Sequence, residues 1–140
     1  MSKENSKLVT LTRKEVMELL AQTKNLKELD IRKANLMKID FSNCDLQGTN
    51  FSYSNLKDAT FENADLRRAS LWNANLEGAN FTNANLEDAD LDYAKLRGAV
   101  LFKANIRRTA LPTDLIPREE ILASVETGCK VGTGGHHTHG

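Results

Sequence analysis

The run Ala59-Thr60-Phe61-Glu62-Asn63, Ala64-Asp65-Leu66-Arg67-Arg68, Ala69-Ser70-Leu71-Trp72-Asn73, Ala74-Asn75-Leu76-Glu77-Gly78 counts in fives. A large apolar residue recurs at the same interval outward from it, from Ile31, Leu36 and Phe41 to Leu101, Ile106 and Leu111. Two residues before each stands a small one, almost always Ala between Ala59 and Ala104. Such a period decides the architecture before any local propensity is weighed. A helix advances about 100° per residue, so positions five apart would wander around its axis. A flat strand alternates faces, so an odd period would send successive leucines to opposite sides. The small and large residues are two apart, which suits a short extended segment with both side chains inward. The polar residue between them then points outward, and the remaining two residues turn a corner. Corner positions often hold Gly, Asn or Asp, as at Asn43, Gly48, Asp58, Asn63, Gly78 and Asp88, types that tolerate positive φ. The Ala slot leaves room where the walls of a narrow coil converge, and overpacking it would cost roughly 1–3 kcal/mol.

The quintets Ala74-Asn75-Leu76-Glu77-Gly78 and Ala84-Asn85-Leu86-Glu87-Asp88 resemble the A(D/N)LXX motif of the pentapeptide-repeat family. The resemblance covers about seventeen consecutive quintets. It implies an all-β solenoid, a right-handed square β-helix in which four quintets make one coil, here about four coils with short helical caps at both ends. Leu29, Ile39, Cys44, Thr49 and Ser54 replace Ala early, and Thr109 and Pro112 break the pattern late. With coils spaced like neighbouring strands, at about 4.8 Å, the rod would stand roughly 20 Å tall without a cleft of its own.

The chain divides into an N-terminal segment with a capping helix (1–25), the repeat (26–113), a C-terminal capping helix (114–128) and a flexible Gly/His tail (129–140). Residues 1–9 read as loose, with Leu8 and Val9 beginning to pack. Thr12 and Glu15 form a capping box, and Val16, Leu19 and Leu20 share one face of a helix running to about Thr23. At the other end, Pro117 starts a helix with Glu119 and Glu120 near its positive pole. Ile121, Leu122 and Val125 supply its apolar face, and Gly128 stops it. Terminal units of a solenoid need such caps to cover unpaired backbone.

Laid out twenty residues apart, the repeat presents four walls. The first, centred on Ile31, Phe51, Leu71, Leu91 and Leu111, displays Tyr53, Trp72 and Tyr93, the only Trp and both Tyr of the chain. They read either as an interface, since such rings combine large area with few rotatable bonds, or as a shield over neighbouring backbone. The third wall stacks Phe41, Phe61 and Phe81 inside, sets Asn43, Asn63 and Asn83 in a corner ladder outside, and points Phe102 toward the C-terminal cap. On the fourth wall Arg67-Arg68, Glu87-Asp88 and Arg107-Arg108 alternate coil by coil. This reads as a mutually satisfied charge ladder, with docking of an acidic partner as the functional alternative.

Formal net charge is zero, so nucleic acid and anionic membrane have no bulk attraction to the chain. The polar start lacks the apolar core of a signal peptide and no apolar run is long enough to span a bilayer, so a cytoplasmic protein is expected. Two cysteines make no disulfide framework, and Cys44 reads as a buried structural thiol. Cys129, His136, His137 and His139 could ligate zinc, nickel or copper, but a Gly-rich tail lacks preorganised geometry. No phosphate loop, dinucleotide fingerprint or nucleophile elbow is present, and carboxylates on convex walls lack the water-excluding pocket that acid–base chemistry needs. The expected class is therefore a non-enzymatic interaction scaffold, monomeric or weakly dimeric, with an unidentified protein partner and no cofactor or small-molecule substrate. The resemblance also brings a DNA-mimicking branch that binds DNA gyrase through an acidic face on a longer coil, which neutral charge and short length disfavour here.

Overall fold

The structure, a computed structural model, describes residues 10–133. Most quintets fold by the same three kinds of hydrogen bond. The Asn or Asp before the central residue turns its Oδ1 onto the backbone N–H two residues on, as Asn75 does with Glu77 (3.0 Å) and Asn85 with Glu87 (3.1 Å). This side-chain turn explains why the outward position favours Asn and Asp, a role that solvent exposure alone does not supply. The N–H of each Ala slot then reaches back to the preceding central carbonyl, as from Ala64 to Phe61 (3.1 Å) and from Ala69 to Leu66 (3.0 Å). Between them sits a residue of positive φ, +60° at Asn63 and +61° at Arg68, the φ pattern of a type II turn.

The third set of bonds stacks the coils. Leu66 N–H donates to Asn85 C=O (2.8 Å), Asn85 N–H to Ala64 C=O (3.0 Å) and Arg68 N–H to Glu87 C=O (3.0 Å). Parallel bridges recur at intervals of twenty residues, from Asn25↔Asp45 to Asp90↔Ala110. A turn every five residues and a return every twenty gives each coil four sides. The repeat starts one quintet before Ile31, because Leu26 is buried and its N–H joins Asp45 C=O (2.9 Å).

Quintet centres and Ala slots fill the interior. Phe41, Phe61 and Phe81 stack with centroids 5.2 and 4.9 Å apart and planes within 9° of parallel. Phe51 meets Phe41 and Phe61 edge-on. The polar substitutes in Ala slots are satisfied locally: Thr49 Oγ1 donates to Leu26 C=O (2.7 Å), and Ser54 Oγ donates to Ile31 C=O (2.6 Å) while accepting from Ala34 N–H (3.0 Å). These hydroxyls let two polar residues lie fully buried without an orphaned partner.

Helices occupy both ends. α1 spans Arg13–Leu20, two to three residues shorter than expected, with the Thr12–Glu15 capping box formed. Leu11 N–H donates to Asp30 C=O (3.2 Å), the same nineteen-residue offset as Ile31 to Asn50. The Arg13 guanidinium donates to the carbonyls of Asn35 (3.1 Å) and Met37 (3.0 Å), and Val16 is buried. Leu11 and the α1 residue Arg13 thus satisfy carbonyls of the first coil on two walls.

α2 spans Arg118–Thr127. Pro117 is its N-cap rather than its first residue, and Gly128 ends it in the left-handed conformation, φ +81°. The expected apolar face is corrected at Leu122, which is exposed, because α2 turns Ile121 and Ser124 inward instead. Phe102 lies against Gly128, where an added Cβ would approach the ring to 3.3 Å. The loose tail expected from Cys129 onward is corrected at Val131, which is fully buried. Its carbonyl accepts from Gly98 N–H (2.6 Å) and its N–H donates to Ala99 C=O (2.8 Å), continuing the ladder on the second wall.

Candidate functional site

Tyr53, Trp72 and Tyr93 come together on the first wall as an edge-to-face ladder. Tyr53 and Trp72 centroids lie 5.2 Å apart at 76°, Trp72 and Tyr93 5.6 Å apart at 78°. The two tyrosines are about half exposed. Lys33 Nζ sits 6.0 Å from the Tyr53 ring and extends the stripe by one coil, a cation–π neighbour that the twenty-residue offset from Tyr53 signals. Backbone geometry makes this stripe costly. Tyr53 and Tyr93 occupy the corner slot with φ +63° and +62°, where a residue with a Cβ loses about 1–2 kcal/mol relative to Gly. Edge-to-face contacts on Trp72 return about 0.5–1.5 kcal/mol each. The rings are therefore close to neutral for the fold.

The fourth wall differs from the expected ladder. Arg108 does bridge coils, with Nε 2.8 Å from Asp88 Oδ1 and Nη2 in contact with Glu87 Oε2. Arg67 instead grips Asp65 of its own quintet in a bidentate pair, at 2.9 Å from Nε and 2.6 Å from Nη2. The Arg68 guanidinium donates to the Gln47 side-chain carbonyl (3.4 Å) and makes no ion pair among the described residues. Arg107 makes no ion pair among the described residues. The Arg67 and Arg108 pairings hold the carboxyls of Asp65 and Asp88 below the usual range, chiefly through side-chain hydrogen bonds. Glu87 and Asp88 are thus both engaged by Arg108, which offsets one of their two charges.

On the third wall Asn43, Asn63 and Asn83 occupy successive exposed corners with positive φ, but no hydrogen bond joins their side chains. Cys44 is buried and its thiol pKa is raised, first by desolvation. Cys129 is a partly exposed free thiol. His136, His137 and His139 lie outside the described residues, among which no cluster of three or more His, Cys, Asp or Glu side chains could hold a metal. Clefts open at the two ends, one of about 310 Å³ between Leu96 and Ile116 and one of about 410 Å³ between Met17 and Ile39. Among the described residues no helix is long and apolar enough to cross a membrane.

A family model described as pentapeptide repeat region matches residues 22–91, half of the chain, and one described as pentapeptide repeats matches residues 79–112. The chain belongs to the pentapeptide-repeat family. That family's fold is a right-handed quadrilateral β-helix, in agreement with the four-sided ladder. Its members are generally structural or interaction proteins rather than enzymes. This pentapeptide-repeat protein is 38% identical to Rfr23 from the cyanobacterium Cyanothece 51142, over 62% of its own length and 56% of that chain, with a TM-score of 0.35. It therefore spans little more than half the length of that relative. It is 28% identical to a pentapeptide repeat protein of the Arabidopsis thaliana thylakoid lumen (81% and 85% covered, TM-score 0.46). QnrB1, a plasmid-mediated fluoroquinolone resistance protein, is 25% identical (62% and 51% covered, TM-score 0.41). Among curated proteins nothing matches.

Proposed function

We propose that this pentapeptide-repeat protein is a non-enzymatic, cytoplasmic protein–protein interaction scaffold whose partner docks on the Tyr53–Trp72–Tyr93 wall. One observation carries the reading. Two large rings stand half exposed at corner positions where their backbone geometry is unfavourable, so the fold gains little from them. Asn, Asp or Gly would serve the turn better, and fills the same slot on other walls. A partner gains far more, because rigid rings held edge-to-face present area without the entropy of ordering flexible side chains. Among the described residues the interior is filled by the quintet centres and Ala slots, which fits a surface role.

The test is a pull-down from the source organism's lysate with wild type and a Tyr53→Ala/Trp72→Ala/Tyr93→Ala variant of verified fold. A partner kept by wild type and lost by the folded variant supports the reading. Equal capture by both would remove the aromatic wall from the function.

A further inference from the structure

The last coil is capped fully on its third wall, in part on its first and second, and not at all on its fourth. On the first wall, Leu91 N–H donates to Ala110 C=O (2.7 Å), while Tyr93 N–H has no hydrogen-bond partner among the described residues. On the second, Val131 takes Gly98 N–H, while Leu96 N–H and Ala94 C=O have no hydrogen-bond partner among the described residues. On the third, Leu101 N–H donates to Ser124 Oγ (2.9 Å) and Lys103 N–H to Val125 C=O (2.9 Å). On the fourth wall the N–H groups of Ile106 and Arg108 and the carbonyl of Ala104 have no protein partner among the described residues. One coil below, the equivalent groups are all used: Leu86 N–H by Asn105, Asp88 N–H by Arg107 and Ala84 C=O by Asn105 N–H. Ile106 is also partly exposed, whereas every other quintet centre from Leu26 to Leu111 is buried. An edge of two donors and one acceptor, an apolar seat and an arginine without an ion pair thus coincide.

We propose that the Ala104–Arg108 edge docks one extended peptide segment, added parallel to the ladder, with an apolar residue followed by an acidic one. The register follows from the coil below. The first docked residue donates its N–H to Ala104 C=O and accepts from Ile106 N–H. The second lays its apolar side chain on Ile106, as Ile106 lies on Leu86. The third accepts from Arg108 N–H and places a carboxylate over Arg107, as Arg107 stands over Glu87. Strand addition of this kind draws affinity from the main chain and specificity from alternate side chains. Charge sets the acidic choice: Arg107 is exposed and makes no ion pair among the described residues, while the contacts of Glu87 and Asp88 go to Arg108.

A second copy of the chain does not fit the same edge. Its first coil would have to cover the whole end, where α2 and Val131 already occupy two walls, and its own α1 would project into that layer. A single segment meets no such obstacle. This site lies on a different wall from the aromatic ladder, so the two readings fail separately.

The probe is the synthetic peptide Ala-Asn-Leu-Glu-Asp-Ala added to the full chain, read by amide hydrogen exchange and chemical shifts. Peptide at saturation should slow exchange at Ile106 and Arg108 by about tenfold. N-methylation of the peptide's Asn, which removes the bond to Ala104, should abolish the effect, while N-methylation of its Leu should not. Ala-Asn-Leu-Lys-Lys-Ala should bind wild type more weakly and the R107E variant more strongly. The Tyr53/Trp72/Tyr93 variant should respond like wild type. Unchanged Ile106 and Arg108 amides at millimolar peptide would overturn the proposal, as would protection of those amides that rises with protein concentration alone.

Discussion

Leu101 N–H donates to the hydroxyl of Ser124 at 2.9 Å, at the place where every coil below offers a backbone carbonyl. Phe81, one coil down, uses Val100 C=O at 2.7 Å. One side-chain oxygen thus stands in for a missing coil, and both groups are fully buried. Ser124→Ala strands the Leu101 N–H away from water, which costs about 1–3 kcal/mol. The expected result is a midpoint shift of that size in denaturant, with the Leu101 amide losing more exchange protection than Leu66 or Leu86. A shift below about 0.5 kcal/mol, the usual bound for a featureless surface change, would show that water reaches the edge.

Asp58 and Gly78 stand one above the other on the second wall's corner. A Cβ on Gly78 would fall 2.1 Å from Asp58 Oδ1, and Gly78 has φ +72°. Gly98, the next residue up the same column, meets nothing nearer than 3.5 Å. Gly78→Ala should therefore destabilise the fold more than Gly98→Ala, although both suffer the left-handed penalty of about 1–2 kcal/mol. Adding Asp58→Ala should recover the difference and leave the shared penalty. Equal losses at the two glycines would mean that the Asp58 side chain swings aside freely.

The five-residue period, the inward Leu and Ala pair and the Phe41–Phe61–Phe81 stack were legible because each is a consequence of repetition: one quintet's packing recurs at every centre from Leu26 to Leu111. Positive φ at the corner was legible only where Gly, Asn or Asp marks it. Glu28, Lys33, Tyr53 and Arg108 adopt it too, since the ladder on both sides over-determines their backbone. The charge wall was misread at Arg67, because residues two apart on an extended segment share a face. Asp65 therefore competes with Glu87 for that guanidinium and wins by proximity. The ends were least legible. Ser124 and Val131 act through single, non-periodic contacts, and a buried Val131 in a Gly-rich stretch leaves no pattern to read.

Acid should weaken the fold through Asp30 and Asp65. Their carboxyls are held below the ordinary value first by hydrogen bonds from Arg32 and Arg67. A carboxyl depressed in the folded state contributes stability above its unfolded pKa, near 3.9, and that contribution disappears as pH falls through the lower folded value. Thermal stability should hold between about pH 7 and 5 and decline below about 4. Asp30→Asn/Asp65→Asn should flatten the acid limb while lowering the neutral plateau. A variant that keeps the full slope would place the acid sensitivity elsewhere, with Asp40 and Asp88 the next carboxyls to replace.

The two thiols should react on different clocks. Cys44 sits in an Ala slot, fully buried, with a pKa raised first by desolvation, so both access and thiolate fraction oppose attack. Cys129 is partly exposed, its N–H on Thr127 Oγ1 at 3.2 Å. A thiol reagent at neutral pH should modify one equivalent promptly, and Cys129→Ser should remove that phase. The second equivalent should appear only at the rate of unfolding and rise with denaturant, because labelling Cys44 requires the coil to open. Cys44→Ala, which restores the residue found in this slot from Ala59 to Ala104, should abolish the slow phase with little change in stability. A fast second equivalent in the native protein would mean that the first coil opens locally, and would separate its stability from that of the rest of the rod.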